Sequence, residues 1–220
     1  MAKKNYVSNS TESIRMFERP WMEALSKVHF SVPLFIFVPI ISFLFFKGIS
    51  SGALGVVDLI LWSLGGLVVW TITEYLLHRF IFHYHPTSEF GKKIHFIFHG
   101  IHHDYPRDRL RLVMPPSVSL PLATLFFFLF KSFIPANALW PFFGAFLTGY
   151  LIYDMFHYAI HHADVKGKLW NILKTHHLKH HYVDPDKGFG VSSPIWDIIV
   201  RSNFEEEKVA SEGVSAEASS

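Results

Sequence analysis

At 220 residues, with 50% hydrophobic content and 23 phenylalanines gathered into long runs, the chain has the composition of a membrane protein rather than of one or two soluble domains. A formal charge of +2 is too small to point to a nucleic-acid partner, and the basic residues mostly flank the apolar runs. The lack of any cysteine excludes disulfides, thiolate-ligated haem, iron–sulfur clusters and cysteine-bound zinc.

Residues 1–27 are polar and basic, but Phe17, Trp21 and Leu25 recur at four-residue spacing and Pro20 suits a first helical turn. The spacing predicts a short helix lying on the membrane interface, with a flexible tail as the alternative. Residues 28–46 are close to the ~20 residues a helix needs to cross the ~30 Å hydrocarbon core. After a tight Lys-Gly, Ser-Ser-Gly turn, residues 53–77 form a second run, with Asp58 near its start and Glu74 near its end. A polar segment, 78–116, separates this hairpin from a second one, 117–134 and 139–156, joined by Pro135-Ala136-Asn137. Four crossings result, and residues 28–203 form the membrane domain. Residues 204–220, rich in Glu, Ser, Ala and Gly, are expected to be a disordered tail.

Four crossings place both termini and the long loop on one face. The basic residues Lys3, Lys4, Arg15, Arg19, Arg79, Lys92, Lys93, Arg107, Arg109 and Arg111 all fall there. The positive-inside rule makes that face cytoplasmic, in the endoplasmic reticulum of a eukaryote or the inner membrane of a bacterium. The expected fold is an all-α, multi-pass integral membrane protein with a cytosolic helical cap.

The cap carries the chemistry. Fourteen of the fifteen histidines sit in three islands: seven between His78 and His103, then His157, His161 and His162, then His176, His177, His180 and His181. His157 and His161, four apart, share a helix face, whereas His162 points elsewhere. The pattern HxxHH occurs twice, as His99, His102, His103 and as His177, His180, His181. His78 and His83 are five apart, about 140° around an ideal helix, so either they serve different metals or the helix is distorted between them. Neutral imidazole suits zinc, copper, iron and nickel, and three islands supply more ligands than one ion uses, so two metals are the natural count. Glu74, Asp104 and Asp154 are placed to accept the second N–H of a ligating imidazole, or, for Glu74 and Asp154, merely to cap or snorkel. His29, His85, His95, His162 and His176 are read as ordinary polar residues. The absence of HExxH and of ExxH pairs argues against a zincin and a soluble carboxylate di-iron bundle. A histidine-rich membrane site with open coordination is the kind that binds dioxygen and attacks an unactivated C–H bond.

The words TEYLLHRFIFH, HGIHHDYPRDRLRLVMPP, YDMFHYAIHH and KTHHLKHHYVDPDKGFGVSSPIWD resemble the fatty acid hydroxylase superfamily, and within it the fatty acid 2-hydroxylases that act on sphingolipid acyl chains. The resemblance implies that His78, His83, His99, His102, His103, His157, His161, His177, His180 and His181 hold a dinuclear centre, the set helix geometry also favours. It implies iron in the active enzyme, with zinc possible in purified protein, and dioxygen as cosubstrate. It further implies a four-helix membrane base under a cytosolic cap and hydroxylation at carbon 2 of a long-chain acyl lipid. The haem-binding HPGG of the cytochrome b5 domain found in many relatives is missing, so electrons are expected from an external donor: a cytochrome b5-like protein, a ferredoxin or a reductase. Tyr182, Phe189 and Trp196 are candidate substrate walls or ordinary packing residues. A desaturase or sterol-type oxidase would share the metal chemistry. A membrane metal transporter or a bis-histidine haem protein would want its histidines inside the helices rather than at their ends.

Overall fold

Residues with two apolar faces and few charges have no reason to stop a helix, and the first run folds into one long helix, α2 (Ser31–Ser50), preceded by a short α1 (Pro20–Leu25). These elements, and those below, are those of a computed structural model that describes residues 7–204. Lys3 and Lys4, and the expected tail apart from Phe204, lie outside the described residues. Gly52, at φ 61°, turns the chain tightly, and α3 (Val56–Leu76) returns antiparallel. Large apolar side chains on this hairpin point outward: Phe35, Phe46 and Val57 are 77%, 65% and 69% exposed. A soluble helix would bury them, so this surface is built for lipid.

Among the described residues, these two helices (with α3 continued to Phe82) are long and apolar enough to cross a membrane. The second expected hairpin differs. Its first arm, α6 (Pro116–Lys131), is apolar but only 16 residues long. Its second arm, α7 (Leu139–His162), runs for 24 residues as the central helix, packed chiefly against α2 and α3 and buried on most sides. Because α7 faces protein rather than lipid, it accommodates Thr148, Tyr150, Tyr153 and Asp154 along its length. Aromatic rings join the bundle: Trp70 of α3 meets Phe146 at 5.3 Å, Phe37 of α2 meets Tyr150 at 4.9 Å, and Phe130 of α6 meets Phe146 at 5.0 Å. At the tightest crossing Gly66 lies against the backbone of α7, where a Cβ would come within 2.0 Å of the Phe142 carbonyl oxygen. Small residues at such crossings let membrane helices approach closely.

The cap consists of α4 (Glu89–His95), α5 (Ile101–Asp104), α8 (Lys168–Tyr182) and α9 (Ile195–Val200), with wide π-helical turns at Leu77–Phe82 and Phe96–Gly100. Among the described residues no strand occurs. The N-terminal segment is helical only over α1, and the residues before it cross the cap as an anchored strap. Ser8 N–H donates to the Asp104 carbonyl (2.7 Å), and Arg111 donates to the Ile14 carbonyl (2.7 Å), Ser26 Oγ (2.7 Å) and Glu23 (2.5 Å). Trp21 and Leu25 remain 59% and 54% exposed.

Candidate metal centre

Where α3 ends, the backbone widens. The His83 N–H donates to the His78 carbonyl (3.1 Å), an i→i+5 bond that stacks residues five apart on one face. The distortion left open by the 140° separation is therefore present, and His78 and His83 look into the same space.

That space holds two clusters of five imidazoles, and in each the five potential ligand nitrogens lie within 4.8 Å of one another. The first contains His78, His83, His99, His103 and His180; the second contains His102, His157, His161, His177 and His181. The two HxxHH triples divide in opposite senses. His99 and His103, four apart, enter the first cluster while His102 enters the second; His177 and His181 enter the second while His180 enters the first. Each cluster is thus one pair from the end of a long helix, one i/i+4 pair from a cap helix, and one histidine from the other triple. The clusters touch where the His103 and His181 rings stack at 4.1 Å.

Within the first cluster Nε2 atoms face each other at 3.1 Å (His78 and His99), 3.0 Å (His83 and His99) and 3.0 Å (His99 and His103). In the second the separations are 2.8 Å (His102 and His157), 3.1 Å (His161 and His177) and 3.0 Å (His177 and His181). Two nitrogens each ~2.1 Å from one ion and at right angles stand ~3.0 Å apart, so the spacing fits cis ligands. Hydrogen bonding cannot satisfy five converging lone pairs, since each neutral ring has one N–H. His180 Nε2 is buried with no hydrogen-bond partner among the described residues. The donor set therefore fits a metal ion in each cluster. Burial, followed by the charge of neighbouring imidazoles, holds His83, His99, His102, His103, His177 and His181 well below the usual histidine value, and burial brings His180 to about 4. The rings are neutral at physiological pH, the form that ligates.

Five histidines stay outside the clusters. His29 pairs with Ser31 Oγ at 2.8 Å, His85 sits on the surface 3.4 Å from Asp186, and His176 lies 3.1 Å from Asp197. His95 and His162 are partly buried, and each has an Nε2 without a hydrogen-bond partner among the described residues.

The carboxylates expected behind the imidazoles have other partners. Glu74 accepts the N–H groups of Val191 (2.9 Å) and Ser192 (2.8 Å). Asp154 accepts the Met114 N–H (3.2 Å) and the Tyr150 hydroxyl (3.3 Å). Asp104 meets no cluster imidazole among the described residues, and its backbone carbonyl holds Ser8. Backbone carbonyls take their place: His78 Nδ1 donates to the Phe189 oxygen and His180 Nδ1 to the Lys187 oxygen (2.7 Å). The buried Asp197, which sequence reasoning missed, stands behind this loop. Its local signal is the GFG word followed by Asp197, two glycines marking close backbone approach.

An apolar cavity of about 290 Å³ includes His99, His102 and His157 in its lining. Phe82, Leu112, Met114 and Tyr153 also line it, as do Met16, Phe17, Trp21, Met22 and Leu25 of the N-terminal segment. A smaller cavity of about 30 Å³ between α3, α6 and α7 shares Phe82, Met114 and Tyr153 with it. Tyr182, Phe189 and Trp196 line neither. Tyr182 is exposed, Phe189 packs edge-on against His78, and the Trp196 indole donates to Thr71 Oγ1 (3.1 Å).

The family model described as fatty acid hydroxylase matches residues 63–202, a span that contains both histidine clusters. The chain is similar to the dihydroceramide fatty acyl 2-hydroxylase FAH1 of Arabidopsis thaliana, 35% identical over 189 residues that cover 86% of this chain and 79% of the relative. It is 35% identical to the fatty acid 2-hydroxylase of Homo sapiens over 209 residues, covering 85% of this chain and 56% of that one. Among solved structures, full-length scs7p, with only its hydroxylase domain visible, superposes with a TM-score of 0.77 at 33% identity over 84% of this chain and 70% of that chain. With the sequence motifs, the histidine geometry and the fold in agreement, the chain belongs to the fatty acid hydroxylase family.

Proposed function

We infer that this protein is a fatty acyl 2-hydroxylase acting on the acyl chains of sphingolipids. The observation that carries the reading is the presence of His99, His102 and His157 in the lining of the apolar cavity, one from the first histidine cluster and two from the second. The similarity to dihydroceramide fatty acyl 2-hydroxylases supplies the substrate class and the position of attack.

The ten clustered histidines would hold two metal ions, five imidazoles to each. Bound there, iron supplies the reduction of dioxygen and the abstraction of a C–H hydrogen. In the balanced reaction one oxygen atom enters a C–H bond at carbon 2 and the other leaves as water. Two electrons and two protons complete it, supplied by a separate donor such as a cytochrome b5-like protein, a ferredoxin or a reductase. The chain's own residues place the substrate. The walls formed by Phe82, Leu112, Met114 and the N-terminal segment hold an acyl chain and exclude water, and binding along the remote tail aligns the reacting carbon.

In this reading α6 and α7 complete a four-crossing base, with the cap and both termini on the cytoplasmic side. Run lengths and the placement of basic residues support that orientation. Expression in a host without 2-hydroxylated lipids, followed by mass spectrometry of hydrolysed acyl chains, tests the function. A 2-hydroxy product that disappears in His177→Ala is expected. A new double bond, or a hydroxyl at another carbon, contradicts the reading.

A further inference from the structure

We propose that the loop at residues 187–193 positions the first histidine cluster, with Asp197 aiming one of its peptide planes at a ligand imidazole and Glu74 anchoring the loop just beyond. The proposal rests on the two-ion reading above. Four successive N–H groups of this loop are taken by the two carboxylates. Asp197 accepts from Phe189 (2.9 Å) and Gly190 (2.7 Å), and Glu74 from Val191 (2.9 Å) and Ser192 (2.8 Å). Ser202 closes the arrangement: its Oγ donates to Asp197 (2.8 Å), and its carbonyl accepts the Gly188 N–H (2.8 Å).

A trans peptide is planar, and its N–H and C=O point in opposite directions. Fixing an N–H therefore aims the carbonyl of the preceding residue. With the Gly190 N–H turned to Asp197, the Phe189 carbonyl faces the other way, onto His78 Nδ1. With the Gly188 N–H turned to Ser202, the Lys187 carbonyl faces His180 Nδ1 at 2.7 Å. Each carbonyl keeps the proton on Nδ1 and leaves the Nε2 lone pair of that ring free for a metal. Two peptide planes thus act as levers, with Asp197 or Ser202 at one end and a ligand imidazole at the other, while Glu74 fixes the next two N–H groups of the same loop. The fit is tight at Gly190, where a Cβ would lie 2.1 Å from the Ser193 carbonyl oxygen and 3.0 Å from Asp197 Oδ2.

In the second cluster the two histidines from α8 have no such support. His177 Nδ1 and His181 Nδ1 are buried with no hydrogen-bond partner among the described residues. Asp197 also meets His176 Nε2 (3.1 Å), which lies outside both clusters, but the two loop carbonyls it and Ser202 aim both meet first-cluster imidazoles, so the predicted effect is one-sided. In Asp197→Asn the nitrogen end of the amide would confront an N–H that now meets an oxygen, and the Phe189 carbonyl would lose its aim.

The test is zinc titrated into chelator-treated full-length protein, with wild type, Asp197→Asn and Glu74→Gln compared by competition against a chromophoric chelator. Wild type should take two ions. In each variant one ion should weaken by about 10–100-fold while the other keeps its wild-type affinity, and adding His161→Ala should remove the one retained. Two ions bound with wild-type affinity in both variants would overturn the clamp and leave the two-ion reading standing. Equal weakening of both ions would also overturn it, since that marks a general loss of packing. Fewer than two ions in wild type would instead defeat the reading on which the clamp rests. Should Asp197→Asn not fold, Glu74→Gln carries the same comparison.

Discussion

Arg111 joins the cap to the N-terminal segment that lines the apolar cavity, so replacing it by methionine should loosen that segment. Its side chain is 2% exposed and that of Asp108, 3.5 Å away, is 1% exposed. Three further contacts, to Ile14, Ser26 and Glu23, all lie on the N-terminal segment. Methionine preserves the volume but leaves Asp108 buried without its cation, a loss of about 3–5 kcal/mol. At ~1.4 kcal/mol per decade, an opening that releases this segment becomes at least ~100-fold more populated. Trypsin cleavage at Arg15 under native conditions follows that population when opening is fast. The expected result is ~100-fold faster cleavage in Arg111→Met, with most of the effect removed by adding Asp108→Asn. Cleavage at the wild-type rate would refute the reasoning. A pH signature accompanies it. Burial pushes the Glu23 carboxyl up, but Lys27, the N–H groups of Met16 and Phe17, and Arg111 outweigh it and hold it at about 2. A carboxyl lowered on folding stabilises above its ordinary value of 4.5 and loses that contribution as pH falls toward about 2. The stability difference between wild type and Glu23→Gln should therefore be full above pH 4.5 and shrink below it.

The crossed division of the two triples makes a further prediction. In double-variant cycles of metal affinity, His102→Ala should be strongly non-additive with His157→Ala, its partner at 2.8 Å. Coupling to His83 should be weaker; the reverse order would mean that sequence neighbours, not the spatial clusters, share an ion. His162→Ala should keep metal content near that of wild type, whereas His161→Ala should lower it, as elemental analysis of purified protein will read. Val118→Phe narrows the cavity, so it should reduce kcat/KM for the longest acyl chains by about 10-fold or more and spare shorter ones. A uniform loss across chain lengths would place the acyl tail elsewhere.

The histidines were legible because helical spacing acts within a few residues, and i/i+4 pairs share a face wherever the helix finally packs. What spacing could not supply was the π-helical turn that unites His78 with His83, because a one-residue widening leaves no periodic mark. The direct partners of the carboxylates were hidden for a related reason. Glu74 lies four residues before His78 but reaches Val191 and Ser192 instead, a contact across 117 and 118 residues that nearness in sequence does not predict. Asp197 acts through backbone groups, which leave no side-chain pattern to read. Hydropathy found α2 and α3 because they face lipid. It describes α7 less well, since a helix surrounded by protein can carry Asp154 and two tyrosines at no cost in lipid exposure.

Metal analysis with X-ray absorption on the purified, iron-supplemented protein tests the central claim most directly. Two iron ions per chain, each in a shell dominated by imidazole nitrogen and without a Soret band in the optical spectrum, are predicted. A single ion per chain, a shell dominated by carboxylate oxygen, or a haem spectrum would contradict the account.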